Sequence, residues 1–368
     1  MLESIIAAVG MCADGVSEGL YAVRHRFSAR AAGIGYAIGA LIAWLYKSVT
    51  PITFTVESIT VATHSAKKPP QILYIVALSA IPSIVLGAFG LYSKLVSMLD
   101  RAVIGGVIAG VGIILTRVGF NYVRERKWVA GTSTLAGLVA YAVTDDLVVV
   151  IVASVLSGTA VDWIAFRRGQ DEGGEQEEKK SSNEDEKDEE KEQSKFGLIP
   201  PKWKEMFSWP VIIGAFSVFS LRTGAIVSYA TVNAQIAGGR DPRLDGATLM
   251  AGLGTLASGL FGGPPIETTP APMAAAPQPV FSTVLFMALM AAITLLGLVK
   301  RVGRYIPLQA IAGFLIVLGI PVIMPEQMPS AAQSPLAGGT ALAVTALTNP
   351  FYGLLAGEAV VLIQGFLR

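Results

Sequence analysis

The sequence predicts an all-α polytopic membrane protein of 14 transmembrane segments. They form two inverted repeats of seven, with a short strand and a half-helix in segments 3 and 10. Three observations carry that prediction. Long stretches are apolar and uncharged: 70–91 and 272–299 contain no Asp, Glu, Lys or Arg. Such stretches recur at spacings near the ~20 residues that span a bilayer. A glycine-rich apolar helix followed by a proline-led segment occurs twice. Ala32-Gly33-Ile34-Gly35 precedes Pro51-Ile52-Thr53-Phe54-Thr55-Val56-Glu57-Ser58, and Ala251-Gly252-Leu253-Gly254 precedes Pro265-Ile266-Glu267-Thr268-Thr269-Pro270-Ala271-Pro272. Between the two copies, residues 171–195 concentrate twelve of the chain's 27 Asp and Glu and five of its 28 Lys and Arg. A weak internal repeat with interrupted, polar-tipped segments at matching places is the mark of a secondary transporter, with its site where the broken segments meet.

The elements follow in order. The apolar pattern predicts helices at 4–22, 29–48, 70–92, 99–118, 128–144 and 146–166 in the first half. The second half gives 208–236, 244–261, 281–302, 306–323, 335–348 and 351–367. The segments 51–65 and 264–279 are too polar and too rich in proline to span alone. Thr53-Phe54-Thr55-Val56 favours a strand. Pro265 and Pro270 remove backbone donors and argue against continuous helix. Non-helical backbone at membrane depth is tolerated only where protein or a cavity surrounds it.

These segments divide the chain into a first repeat at 1–167, a charged disordered linker at 168–200 and a second repeat at 201–368. The linker is rich in Glu, Lys, Ser and Gln and buries too little apolar surface to offset its ordering entropy. Lys and Arg otherwise cluster in loops such as Arg24-His25-Arg26, Lys67-Lys68, Arg124 to Lys127 and Lys300-Arg301. In this segmentation all lie on one side, which the positive-inside rule makes cytoplasmic. A multi-pass protein of the plasma membrane is expected, with no cleavable leader. The lone Cys12 excludes an internal disulfide. Nucleic-acid motifs, phosphate-binding loops, metal-ligand clusters and nucleophile–base sets are absent from the sequence. The expectation is therefore no enzyme, no catalytic residues, no cofactor and no metal.

With these motifs in place, the chain resembles the uracil/xanthine permease family and, more distantly, the sulfate permease family. Gly239-Arg240-Asp241-Pro242, Ala251 to Thr255 and Ser258-Gly259-Leu260-Phe261-Gly262 look like the loop and ninth segment of the uracil permeases. Pro265 through Thr269 looks like their tenth segment, and Tyr305-Ile306-Pro307-Leu308 with Gly313 like the start of their twelfth. Tyr92-Ser93-Lys94 through Leu99-Asp100, then Gly105-Gly106 and Gly110-Val111-Gly112, look like the connection into the fifth. The resemblance implies core and gate domains, a homodimer through the gate, and an ion-coupled symporter of a nucleobase-like substrate, with a proton or sodium as coupling ion. It also implies a cytoplasmic loop between segments 4 and 5, the reverse of the charge reading. The chain departs from the family at the chemistry. The eighth-segment glutamate that bonds the nucleobase corresponds to Arg222, the second acidic position to Ala271, and the histidine of proton linkage to Ile226.

Several residues carry candidate chemistry. Arg222, beside Thr223 in an apolar helix, costs about 2.5–3.5 kcal/mol or more at membrane depth, so it should face a cavity or a partner. It suits a carboxylate, sulfate or polarised carbonyl pair, which opens the alternative of a small-anion transporter. It equally suits a structural pair with Glu57, Glu267, Asp14 or Glu18. Glu57, with Thr55 and Ser58, occupies in the first broken segment the place of Ala271 in the second, and is a candidate for both substrate binding and ion coupling. Glu267, Thr268 and Thr269 precede the second half-helix, where hydroxyls and free N–H groups favour electronegative substrate atoms or simply cap the helix. Asp14 and Glu18, four apart, share one helix face and are ion-coupling candidates, or partners of Arg24 or Arg26. His25 and His64 adjoin basic loops and read as interfacial.

Overall fold

The computed structural model describes residues 1–66, 68–171, 196–198, 200, 202–303 and 307–366. Residues 172–195 of the expected linker, and the Tyr305-Ile306 pair of the family motif, lie outside the described residues. The chain starts with α1 (Leu2–Arg24) and α2 (Ala29–Tyr46). A three-residue strand, β1 (Ile52–Phe54), leads into the ten-residue α3 (Val56–Ser65). Helix α4 (Pro69–Ala88) opens on prolines, whose missing N–H groups fall where a helix has no internal acceptor. The helix expected at 70–92 stops there, because Gly90 turns the chain at φ +64°. The short α5 (Leu91–Ser97) then begins, and the N–H groups of Tyr92 and Ser93 both donate to Asp245 Oδ1 at 3.0 Å. Asp100 caps α6 (Arg101–Glu125), which runs past the expected end at 118. It is followed by α7 (Lys127–Thr144) and α8 (Leu147–Asp171). Helix α8 thus enters the stretch read as linker from 168.

The far side of that stretch is anchored. Phe196 stacks on Phe261 at 5.9 Å between ring centres, and the Tyr74 hydroxyl donates to the Pro200 carbonyl at 2.9 Å. A short α9 (Trp203–Met206) leads into α10 (Trp209–Ile236) and α11 (Leu244–Leu260). Strand β2 (Ile266–Thr268) follows, then one tight turn at Pro272–Ala275. This corrects the half-helix expected in segment 10. Pro270, Pro272, Pro277 and Pro279 each lack a donor, so helix cannot propagate between them. The helix expected at 281–302 divides into α12 (Pro279–Leu295) and α13 (Val299–Gly303) where Gly297 takes φ +69°. The helix expected to end at 323 continues as α14 (Leu308–Ala331). Its turn at Leu318–Ile323 is widened around Pro321, which lets the helix pass a residue without an N–H. Helices α15 (Pro335–Leu347) and α16 (Pro350–Phe366) complete the described chain.

Among the described residues, seven helices are long and apolar enough to cross a membrane: α1, α2, α4, α6, α8, α10 and α14. The protein is a helical, multi-pass membrane protein. The two broken segments meet at its centre. β1 and β2 pair antiparallel in the register Ile52↔Thr268, Thr53↔Glu267 and Phe54↔Ile266. A two-stranded ladder leaves two edges, and at membrane depth each edge needs partners. Side chains supply them. The Tyr36 hydroxyl accepts from the Phe54 N–H at 3.1 Å and bonds Thr53 Oγ1 at 2.9 Å. Thr255 Oγ1 accepts from the Ile266 N–H at 3.1 Å and donates to the Ile266 carbonyl at 2.7 Å.

The repeated glycine motif explains how helices crowd this ladder. A Cβ placed on Gly35 would lie 2.4 Å from the Gly254 carbonyl oxygen and 2.5 Å from Ile266 Cδ1. Glycine from each copy of the motif thus lets α2 and α11 touch backbone to backbone over the strands. Gly35→Ala is expected to lower stability in detergent by about 1–3 kcal/mol through overpacking. Gly131→Ala, where nothing lies within 4 Å, should produce no loss. Thermal unfolding of the two variants checks the difference.

Candidate functional site

The broken segments border a narrow cavity of about 70 Å³. Asp14 and Glu18 reach it from α1, one turn apart on the same face as their spacing predicts. Thr55 and Glu57 reach it from the start of α3, and Thr269 with Pro270 from the chain just after β2. Tyr229 of α10 and Tyr122 of α6 add phenol groups. The opposite wall is apolar and comes from α6, α8 and α14, including Leu115, Ile151 and Phe314. Those three residues belong to an apolar cluster of their own, distinct from the larger one that surrounds the strands.

Each polar group is held by identifiable local structure. Val56 starts α3 after Thr55 in extended geometry, φ −137° and ψ 126°, so the first N–H groups of the helix have no carbonyl to meet. The Glu18 carboxylate meets the Val56 N–H, a favourable place for negative charge at a helix start. Thr55 Oγ1 is buried without a hydrogen-bond partner beside it. On the other side, Pro270 interrupts the backbone and Asn233 repairs it. The Asn233 Nδ2 donates to the Thr269 carbonyl and its Oδ1 accepts from the Ala271 N–H, both at 2.8 Å. One amide thereby replaces a peptide partner on each side of the proline.

Arg222 is placed elsewhere. It is fully buried and forms a bidentate pair with Glu267: Nε to Oε2 at 2.6 Å and Nη2 to Oε1 at 2.9 Å. Its remaining donors are met from α4. Nη1 donates to the Ser79 carbonyl at 2.7 Å and to Ser83 Oγ at 3.2 Å, and Nη2 to Ser79 Oγ at 3.3 Å. A guanidinium has five N–H groups, and this set occupies all five. Neither Arg222 nor Glu267 lines the carboxylate cavity. Of the two readings of Arg222 left open by the sequence, the geometry is that of the structural pair. Thr223 also points away: its hydroxyl donates to the Phe219 carbonyl at 2.9 Å, and its carbonyl accepts from the Tyr92 hydroxyl. Ser58 is buried beside Glu267, and Thr268 is buried in the ladder opposite Ile52.

Of the residues singled out in the sequence, the structure brings together Asp14, Glu18, Thr55, Glu57 and Thr269. It sets Arg222, Thr223, Ser58, Glu267 and Thr268 apart from them. Tyr36, Tyr122, Tyr229, Asn233 and Thr255 were not singled out. A signal for two of them existed, since Tyr229 and Asn233 lie seven and eleven residues after Arg222 and therefore on nearly the same helix face.

No family model matches the chain, and no curated protein matches it. Among solved structures, it is similar to the transmembrane domain of a cyanobacterium bicarbonate transporter, BicA, at 18% identity and a TM-score of 0.49. That match covers 94% of this chain and 97% of the other. A likeness this distant decides neither substrate nor mechanism.

Proposed function

We propose that the protein is a secondary active transporter of the plasma membrane, a proton-coupled symporter of a small, neutral, hydrogen-bonding substrate of the nucleobase type. The observation that carries this reading is the cavity where the broken segments meet. Among the described residues, three carboxylates, two phenols and two threonines line it, and no cationic side chain does. Ionisable side chains that face an internal cavity at membrane depth are typical of proton relays. A neutral heterocycle can both donate to the carboxylates and accept from hydroxyls.

The finer architecture belongs to the same proposal. Residues 1–167 and 201–368 are two inverted repeats of seven segments, and the antiparallel β1–β2 pair lies where their symmetry axis would pass. α1 to α4 with α10 to α12 form the core, and α6 to α8 with α14 to α16 form the gate, through which a homodimer assembles. The cavity between them opens to one side and then the other as core and gate rock.

A small-anion carrier of the sulfate permease kind is the second reading. The start of α3 favours it, because helix N-termini attract negative charge. Glu18 occupies that position, however, and Arg222 is committed to Glu267. Thermal-shift measurements on the detergent-purified protein separate the two. Uracil, xanthine or adenine is expected to raise the melting temperature, with a smaller shift in Glu57→Gln at the same ligand concentration. Stabilisation by sulfate or bicarbonate alone rejects the nucleobase reading.

A further inference from the structure

The carboxylate cavity is closed at one end by an apolar plug. Each of four helices that line it continues into that plug. One turn from Leu115 toward the start of α6 lies Val111, and one turn from Ile151 toward the start of α8 lies Leu147. Toward the ends of α10 and α14, Tyr229 is followed by Val232 and Phe314 by Leu318. Val111, Leu147, Val232 and Leu318 are all buried and belong to one cluster. At the opposite end Glu57 is exposed and Tyr122 half-buried, so the cavity is reached from there.

A polar contact lies at the outer edge of the plug. Gln327, in the last turns of α14, donates from Nε2 to Oε1 of Gln235, near the end of α10, at 2.7 Å. Gln327 is 4% exposed and Gln235 half-buried. The two helices belong to different neighbourhoods. Helix α14 packs against α6 without space between them: a Cβ on Gly105 would lie 2.7 Å from Ser330 Cβ and 3.3 Å from the Gln327 carbonyl oxygen. Helix α10 is instead bonded to β2 and α4 through Arg222, and to the chain after β2 through Asn233. The Gln235–Gln327 bond therefore crosses from one packed group to the other.

We propose that Gln235 and Gln327 form a latch over the plug, which keeps the cavity shut at this end and must break before it opens there. The proposal rests on the reading above that α10 moves with the core and α6 and α14 with the gate. An amide pair suits this role. Its hydrogen bond is directional, so it fixes how the two helix ends meet. It is also neutral, and a neutral bond is weak enough to break and re-form in each cycle. The apolar side chains exclude water, and the latch sets how large a share of the molecules have the plug parted.

Thiol labelling of the detergent-purified full chain tests it. Cys12 is the only cysteine, so Cys12→Ala with Val232→Cys leaves a single thiol, inside the plug. A water-soluble methanethiosulfonate should modify it slowly. Adding Gln235→Ala or Gln327→Ala should raise the rate about two- to twelvefold, as expected for the loss of one neutral hydrogen bond. The two substitutions together should label no faster than either alone, because the same bond is lost each time. Gln235 is the less buried partner, so Gln235→Ala serves if Gln327→Ala fails to fold. Gln309→Ala, which removes a 3.0 Å bond to Glu125 at the other end of α14, should leave the rate unchanged. No rise in the latch variants, gains that add in the double variant, or an equal rise in Gln309→Ala overturns the proposal. Labelling needs no substrate, so ligands that fail to raise the melting temperature would count against the transporter reading and leave the latch standing.

Discussion

Replacing Arg222 alone with Met is expected to destabilise the protein by about 3–5 kcal/mol, the usual consequence of leaving one member of a buried ion pair without its partner. The geometry gives the reason. Arg222 is 0% exposed and Glu267 2% exposed, so neither can turn to water when the other is removed. The loss extends beyond the pair, because Ser79 and Ser83 of α4 also spend hydrogen bonds on the guanidinium. Arg222 therefore joins α10, α4 and the strand β2 at one point. Glu267→Gln alone should fall in the same range. Arg222→Met combined with Glu267→Leu should recover much of the loss, since well-packed apolar replacements of a buried pair are often neutral or stabilising. Thermal unfolding in detergent measures all three. An arginine that bound substrate instead would give a stable Arg222→Met protein that had lost only its ligand response.

Glu57→Gln is expected to have the opposite profile. Glu57 opens into the cavity, so the amide should fit without loss of stability. Gradient-driven accumulation of substrate should fall about tenfold or more, as expected when a charge-assisted hydrogen bond worth about 1.5–3 kcal/mol is lost. Coupling should fall with it: uptake by Glu57→Gln in proteoliposomes should no longer respond to an imposed pH gradient, while substrate exchange at equal pH persists. The same comparison for Asp14→Asn and Glu18→Gln distinguishes which carboxylate carries the proton. Glu18→Gln should also weaken the start of α3, where the carboxylate meets the Val56 N–H.

Much of this arrangement is legible in the sequence, for physical reasons that differ by residue. The apolar helices show because bilayer thickness imposes their length. The two broken segments show because Pro51, Pro265 and Pro270 interrupt patterns that would otherwise be helical. Asp14 and Glu18 reach one cavity because a four-residue spacing puts them on one face. The partner of Arg222 was not legible. Glu57, Glu267, Asp14 and Glu18 were all available, and the choice depends on the register of β1 with β2, which no local pattern encodes. That register sets Thr53, not Glu57, opposite Glu267. The single turn at Pro272–Ala275 follows from four prolines whose combined effect exceeds the one interruption expected. Asn233 was overlooked because a lone amide in an apolar helix has no local signature, although its spacing from Arg222 does place it on the buried face.

The central claim is that the carboxylate cavity couples a neutral substrate to protons. Transient currents from protein in a solid-supported membrane test it most directly. At equal pH on both sides, a pulse of uracil or xanthine should produce an inward positive current, because the substrate is neutral and the proton alone carries charge. The current should vanish in Glu57→Gln and survive in Gly131→Ala. A current of the opposite sign, elicited by sulfate or bicarbonate and unaffected by Glu57→Gln, would contradict the account.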